Sequence, residues 1–336
     1  MSKLLEKIRK NTVVNAQILK NSKYFDNNRR IPTGIPILNL ALSGRLNGGM
    51  PPGIVQIAAP PKHFKTKFLH QLMYAYQEYY KNEDYIIVLY DSELGSTLEY
   101  YEKAGLNTER IDHRPIESVE KLKSDIANLL NDIEEGDKVF ICIDSIGMLR
   151  SNKETQDAIA EKDAADFTRA KALNSLFRII TPESAIKDIP IAVINHSYTT
   201  MDMFPKEVAS GGRKTQYAAH SLFFITKAQE KDTDKELVGF TFTLKAGLSR
   251  YVKENSTFPV VAFFDSDIIK YSGIFDLAVK HGFIVAETKQ TYVIHGIKGL
   301  EDVKGKRKTI ENDETIMETI LKDANFVEKV ENDVRI

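Results

Sequence analysis

Apolar runs at residues 54–58, 85–90, 138–143 and 190–195 alternate with stretches whose apolar positions recur at helical spacing. Near-continuous apolar runs of this length fit strands covered on both faces, and the intervening stretches predict helices over 66–80, 96–104, 117–134 and 166–180. The alternation predicts an α/β fold: a mostly parallel central sheet with helices on both faces, and binding residues at the C-terminal ends of the strands. After residue 220 the pattern changes to short apolar runs at 222–225, 238–244 and 260–264 with no helices between them. These predict an antiparallel extension of the same sheet. A short helix at 274–279 and a strand at 290–295 are expected beyond it. At the other end, Leu4, Leu5, Ile8, Val14, Ile18 and Leu19 give residues 2–22 one apolar stripe with lysines opposite. A helix there needs a surface to pack on, either its own core or a neighbouring subunit.

Composition narrows the function classes. At 336 residues, 42% hydrophobic and 28% charged, the chain has ordinary globular values and ample length for a core. The boundaries expected are an N-terminal helix and linker at 1–30, a core at 31–272 and a small C-terminal segment at 273–336. A formal charge of −1 gives no global attraction to nucleic acid, so any such site must be local. No signal peptide or membrane-length apolar run is visible, which predicts a soluble cytoplasmic protein with no membrane partner. The single cysteine, Cys142, lies inside an apolar strand and reads as a buried thiol. The 7 histidines lack zinc-ligand spacing, leaving Mg²⁺ as the metal implied.

The candidate chemistry centres on Ala59-Pro60-Pro61-Lys62-His63-Phe64-Lys65-Thr66, between the first strand and the first core helix. A strand, a tight loop ending in Lys-Thr and a helix make a phosphate cradle: free amides and the helix N-terminus attract oxyanions, Lys65 adds a point charge, and Thr66 can ligate Mg²⁺. Against the pattern G-x-x-x-x-G-K-[ST], Ala59 and Phe64 replace both glycines, and Pro60 and Pro61 offer no N–H. The cradle therefore depends on the amides of Lys62, His63, Phe64, Lys65, Thr66 and Lys67. A positive φ at Phe64 would strain the loop by about 1–2 kcal/mol.

Four motifs in order carry a family resemblance. The lead-in from Thr33-Gly34-Ile35-Pro36-Ile37-Leu38-Asn39 through Gly48-Gly49-Met50-Pro51-Pro52-Gly53 resembles that of RecA-type recombinases, with Asn39 where aspartate is usual. Tyr90-Asp91-Ser92-Glu93, Ile141-Cys142-Ile143-Asp144-Ser145 and Ile194-Asn195-His196 follow in the order of that family's catalytic glutamate, magnesium-organising aspartate and phosphate sensor. The chain is most similar to the UvsX-type recombinases of tailed phages, which likewise carry Phe before the P-loop lysine and Asn-His at the sensor. Thr168-Arg169-Ala170-Lys171, Ser175-Leu176-Phe177-Arg178 and Ser249-Arg250 add to the likeness, which runs from about Lys23 to about Gly282.

The resemblance implies an ATP-dependent recombinase with a RecA-like P-loop ATPase core, Mg²⁺ as cofactor, and catalytic roles for Lys65, Glu93 and His196. Asp144 and Thr66 would hold the metal, with Asp91 a second choice for the glutamate's role. Tyr100 either stacks on adenine or packs in the core; Lys245, Arg250 and Lys253 fall where related filaments reach a neighbour's nucleotide. Two DNA loops are implied. The first, Lys153 to Ala165, precedes Arg169 and Lys171; the second, Ser197 to Thr215, carries Met203, Phe204, Lys206, Gly211, Gly212, Arg213 and Lys214. Cationic and apolar side chains together suit phosphates and bases, and a long loop of this kind is expected to be disordered until DNA binds. The implied partners are single-stranded and double-stranded DNA, further copies of the chain in a helical filament, a recombination mediator and a single-strand-binding protein, in the cytoplasm of a host cell. The terminal stripe would then dock on the adjacent subunit. The basic run Lys304-Gly305-Lys306-Arg307-Lys308 is a solvated face or a secondary duplex contact. Two rivals remain open: a helicase motor on the same core, and a DNA-binding mediator that does not hydrolyse ATP.

Overall fold

The computed structural model describes residues 2–22, 24, 30–161, 168–201, 203, 206–231, 234–264, 268–301 and 303–336. Its first elements are α1 (Lys3–Arg9), α2 (Pro36–Ser43), β1 (Gly53–Ala59), α3 (Lys65–Tyr79), β2 (Tyr85–Asp91), α4 (Leu98–Lys103), β3 (Ile111–Pro115), α5 (Val119–Asp132) and β4 (Lys138–Asp144). Next come α6 (Asn152–Ile159), α7 (Thr168–Lys187), β5 (Pro190–Thr199), β6 (Glu207–Ala209), α8 (Arg213–Ala218), β7 (Ser221–Lys231), β8 (Leu237–Ser249) and β9 (Thr257–Phe263). The chain closes with α9 (Ile274–Lys280), β10 (Ile284–Ala286), β11 (Tyr292–Ile294), β12 (Lys304–Gly305), α10 (Arg307–Glu311), α11 (Glu314–Lys322) and α12 (Ala324–Val334).

The apolar runs become β1, β2, β4 and β5, and side chains alternate across the sheet to fill two cores. Val55, Ile57, Leu89, Phe140, Cys142 and Ile194 meet α2 and α3 on one face. Ile54, Val88, Tyr90, Ile141, Ile143, Ile191 and Val193 meet α5 and α7 on the other. The result is a nine-stranded, mostly parallel sheet, ordered β3-β2-β4-β5-β1-β7-β8-β9 with β6 beside β5. It is the RecA-like α/β core expected. β7 lies parallel to β1, while β8 and β9 add antiparallel, as the change of pattern after residue 220 predicts. β3 is an edge strand whose polar sequence, Ile111-Asp112-His113-Arg114-Pro115, carries no strand signal.

The lead-in motif is structural. Asn39, 5% exposed, accepts from the Thr33 amide at 2.8 Å and the Thr33 hydroxyl at 2.7 Å, and donates to Leu46 O at 3.1 Å. An aspartate would lack the last donor.

Two expectations are corrected. The helix expected over residues 2–22 ends at Arg9, and only a 3₁₀ turn, Leu19–Asn21, follows. Asn11-Thr12-Val13-Val14-Asn15 is a run of weak helix formers, and Leu4, Ile8, Val14 and Leu19 are exposed, so no packing offsets the poor propensity. The region after residue 283 holds more structure than its sequence pattern suggests. β10, β11 and β12 form a separate antiparallel sheet, and Phe283, Ile294, Ile310, Met317, Phe326 and Val330 join the core that α2 and β8 build. Within the basic run, Arg307 pairs with Asp276 at 2.8 Å and Glu311 at 3.1 Å, and Lys304 pairs with Glu287, so these cations serve local structure. No helix among the described residues is long and apolar enough to cross a membrane.

Candidate functional site

Because β2, β4, β5 and β1 are parallel neighbours, their C-terminal ends converge. The register sets Asp91 opposite Asp144 and Ala59 opposite His196. The loop after β1 therefore faces the end of β4 and the segment after β2 across a cavity of about 610 Å³, walled by Lys62 to Lys67, Asp91, Glu93, Tyr100 and Asp144 among others.

The loop after β1 adopts left-handed backbone at Lys62 (φ 61) and Phe64 (φ 56), so the strain expected at Phe64 is present and a second position shares it. Phe64 is the N-cap residue of α3, which leaves the amides of the first turn directed at the cavity. Its ring packs 5.0 Å from Phe242 and 6.0 Å from Phe240, a compensation that glycine could not make. Lys65, 8% exposed, donates to Ala59 O at 3.3 Å and Pro60 O at 3.2 Å. Burial lowers the pKa of its ammonium, with Glu93 and Asp144 opposing.

Across the cavity, the Thr66 hydroxyl donates to Asp144 Oδ2 at 2.9 Å. Burial pushes the Asp144 carboxyl up to about 6; Glu93 and Asp91 add to the rise, while Thr66 and Lys65 oppose it. A hydroxyl and a carboxylate set side by side are hard oxygen donors of the kind Mg²⁺ takes beside substrate phosphates, so these residues fit the ion. Glu93 Oε1 accepts from Ser145 Oγ at 2.9 Å and lies 3.2 Å from His196 Nε2. The His196 hydrogen bond, then that of Ser145, holds the Glu93 carboxyl below its ordinary value, against the effect of burial. Asp91 is differently engaged. Its Oδ1 accepts from the amides of Glu93 at 2.9 Å and Leu94 at 2.8 Å, and its Oδ2 lies 3.3 Å from His113 Nε2. Asp91 thus shapes the turn that presents Glu93.

Behind His196 the described part of the second loop forms a hairpin. β5 runs on to Thr199 and pairs with β6, Ser197 opposite Ala209 and Thr199 opposite Glu207. His196 O accepts from Ser210 N at 2.9 Å, and Asn195 Nδ2 donates to Ser210 O at 2.8 Å, so the histidine and the returning strand are tied together. Met203 is 88% exposed near the hairpin tip, with Lys206 and Lys214 also exposed. Gly211 and Gly212 both have φ 88 and lead into α8. Phe204 lies outside the described residues, as does the side chain of Arg213. The first loop holds α6, started by a Ser151–Glu154 capping box, and residues 162–167 lie outside the described set. Lys171 is exposed. Arg169 turns inward instead, donating to Ile146 O at 2.9 Å, Gly147 O at 3.0 Å and Leu149 O at 2.5 Å, and so braces the loop after Asp144.

Tyr100 stands at the cavity wall with its ring 4.9 Å from that of His70. Lys245 and Arg250, on β8 and just after it, do not line this cavity.

No family model matches the chain. A recombination and repair protein of Enterobacteria phage T4 is 44% identical over 267 residues, covering 80% of this chain and 68% of that protein. The chain belongs to the family of that protein. Its role is therefore in recombination and repair.

Within this recombination and repair family member, several site residues carry no sequence signal of their own. Ser145 is fully buried, bonded to Glu93 and, through Ser92 Oγ, to β2; the Ser92 hydroxyl donates to Ser145 O at 2.7 Å. The Asp144–Ser145 peptide is cis. Gly147 is required by close approach: a Cβ there would lie 2.2 Å from His196 Cδ2. The pairing of Asn195 with Ser210 depends on a hairpin that only the β5–β6 register defines. The Ser-Glu and Asn-His neighbours of the recognised motifs are the only local hints of either.

Proposed function

We propose that the protein is an ATP-dependent DNA recombinase, which polymerises on single-stranded DNA and pairs that strand with a homologous duplex. The observation that carries this reading is the continuous path from cavity to hairpin. Thr66 meets Asp144, Glu93 meets Ser145 and His196, and the His196 backbone holds the strand returning from the second loop. The family's recombination and repair role supports it.

In this reading the amides of residues 62–66 and the Lys65 ammonium bind the β- and γ-phosphates. Thr66 and Asp144 would hold Mg²⁺, which supplies charge neutralisation on the phosphates when bound. Glu93, kept ionised by His196 and Ser145, orients the attacking water and accepts its proton. Tyr100 flanks the adenine. His196 senses the γ-phosphate and transmits its loss to the β5–β6 hairpin, whose Met203, Phe204, Lys206 and Lys214 contact single-stranded DNA together with Gly211, Gly212, Arg213 and, from α7, Lys171. Lys245 and Arg250 complete the nucleotide site of an adjacent subunit, and residues 1–30 join subunits, beside a core at 31–272 and a C-terminal segment at 273–336.

The test is ATP hydrolysis with Mg²⁺, with and without single-stranded DNA, followed by strand exchange with homologous duplex. Hydrolysis stimulated by DNA together with homology-dependent exchange is expected. Unwinding of a forked duplex without exchange would establish a helicase motor, and DNA binding without hydrolysis would establish a mediator.

A further inference from the structure

The phosphate loop carries side chains at two left-handed positions, Lys62 and Phe64, where only glycine adopts that backbone without steric cost. Its amides point where those two φ angles direct them, and Pro60 and Pro61 supply none. Something outside the loop must favour this conformation. Resting on the nucleotide-binding reading above, we propose that Lys227 and Phe240 are positioning residues that hold the loop in its phosphate-cradling form.

The sheet topology brings them there. β7 pairs with β1 over Val55 to Ala58, then continues to Lys231 while β1 ends at Ala59, so the β7–β8 hairpin overhangs the loop. Lys227 Nζ donates to the Lys62 carbonyl at 3.0 Å, a charge-assisted bond to the first left-handed residue. The Phe240 ring lies 6.0 Å from that of Phe64, the second left-handed residue, and 5.9 Å from Phe242, which itself packs 5.0 Å from Phe64. Lys227 Nζ also sits 5.0 Å over the Phe240 ring, so the two grips support each other. Neither residue lines the cavity, and both therefore act through the loop. The hairpin substitutes for the two missing glycines by stabilising from outside a backbone that glycine would adopt alone.

The experiment is a double-mutant cycle read by binding of a fluorescent ATP analogue with Mg²⁺. Lys227→Met and Phe240→Ala are each measured in the native loop and in a loop carrying Lys62→Gly and Phe64→Gly. Each change should weaken nucleotide binding by about tenfold in the native loop and by less than about twofold in the glycine loop. Phe240→Tyr should retain native binding. Equal loss in both loops would overturn the proposal, because it would mean a general effect on folding rather than on loop conformation. Unchanged binding in the native loop would overturn it as well. Failure of the unaltered protein to bind the analogue would instead remove the nucleotide reading itself. Should Phe240→Ala fail to fold, judged by its thermal transition, the exposed Lys227 carries the cycle alone.

Discussion

Lys65 and Asp144 hold opposite charges out of water, and their pKa shifts run in the directions that burial imposes on each. On the proposed ATP-binding reading, removing either charge should be felt chiefly by the polyphosphate. Lys65→Ala is expected to lower DNA-stimulated hydrolysis by at least about 10²-fold, since a preorganised cation on the transferred phosphoryl group is lost. Near-normal turnover in a steady-state phosphate-release assay would remove Lys65 from the site. Glu93 and Asp91 separate more sharply. Glu93→Gln should leave nucleotide affinity intact and slow a single turnover by about 10²–10⁴-fold, because only the water's orientation and proton acceptor change. Asp91→Ala should instead lower the thermal midpoint, because it removes the Oδ1 that caps two amides and the Oδ2 that faces His113. Loss of ATP affinity in Glu93→Gln would sink its assignment. Lys65 and Thr66 were legible as cavity residues because motif spacing along one strand–loop–helix unit defines them, and Asp144 because it ends a separate apolar strand. Ser145, Gly147 and the inward turn of Arg169 were not, since each depends on how β4, β5 and α7 meet in space.

At the scale of elements, legibility followed burial. Strands covered on both faces announce themselves by composition, whereas β3, a polar edge strand, and β6, a three-residue hairpin arm, gain their conformation from neighbours. In the proposed function the β5–β6 hairpin also carries the coupling. His196 shares a hydrogen bond with Glu93 through its ring and with Ser210 through its backbone. In His196→Ala, nucleotide and DNA should each still bind, but ATP should no longer raise DNA affinity, and by linkage DNA should no longer raise ATP affinity. Titrating one ligand at saturating levels of the other measures both; a retained ATP-induced gain would make His196 a strand-end residue only. A second element-level device sits at the opposite end of β1. Ile54 N donates to His220 Nδ1 at 3.1 Å, and a Cβ on Gly53 would come 2.4 Å from the ring. Burial, with Arg250 adding, pulls the His220 pKa down to about 4, and burial does the same for His70. With folded values below the ordinary 6.5, the unfolded chain binds more protons between pH 4 and 6.5, so stability falls as pH drops through that window. The slope is at most about 1.4 kcal/mol per pH unit for each histidine. Thermal midpoints measured from pH 7 to 5 should decline, and His220→Gln should flatten the decline; an unchanged slope would place the titration elsewhere.

Among the described residues, the N-terminal segment carries a run of apolar side chains that the core does not cover. Leu4 is 66%, Ile8 65%, Val14 68% and Leu19 73% exposed, whereas apolar residues of the C-terminal segment pack into the same core as α2 and β8. The two ends of the chain therefore differ physically. α12 is fastened by Glu331, which accepts from Leu46 N at 3.1 Å, and by the Lys253 N–H bond to Val334 O at 2.8 Å. α1 buries no residue. A seven-residue helix is too short to persist in water without a partner surface, and exposing these side chains is unfavourable by about 25 cal/mol for each Å² that a partner would cover. The occupant consistent with the recombinase reading is the core of the next subunit. Deleting residues 2–22 should then leave a folded monomer, with its thermal midpoint shifted by no more than about 2 °C, because no core contact is removed. Its sedimentation with ATP and single-stranded DNA should lose the large assemblies formed by the full chain. The two readouts separate the alternatives: a large drop in midpoint would assign the stripe to the chain's own core, and undiminished assemblies would assign subunit contacts to other surfaces.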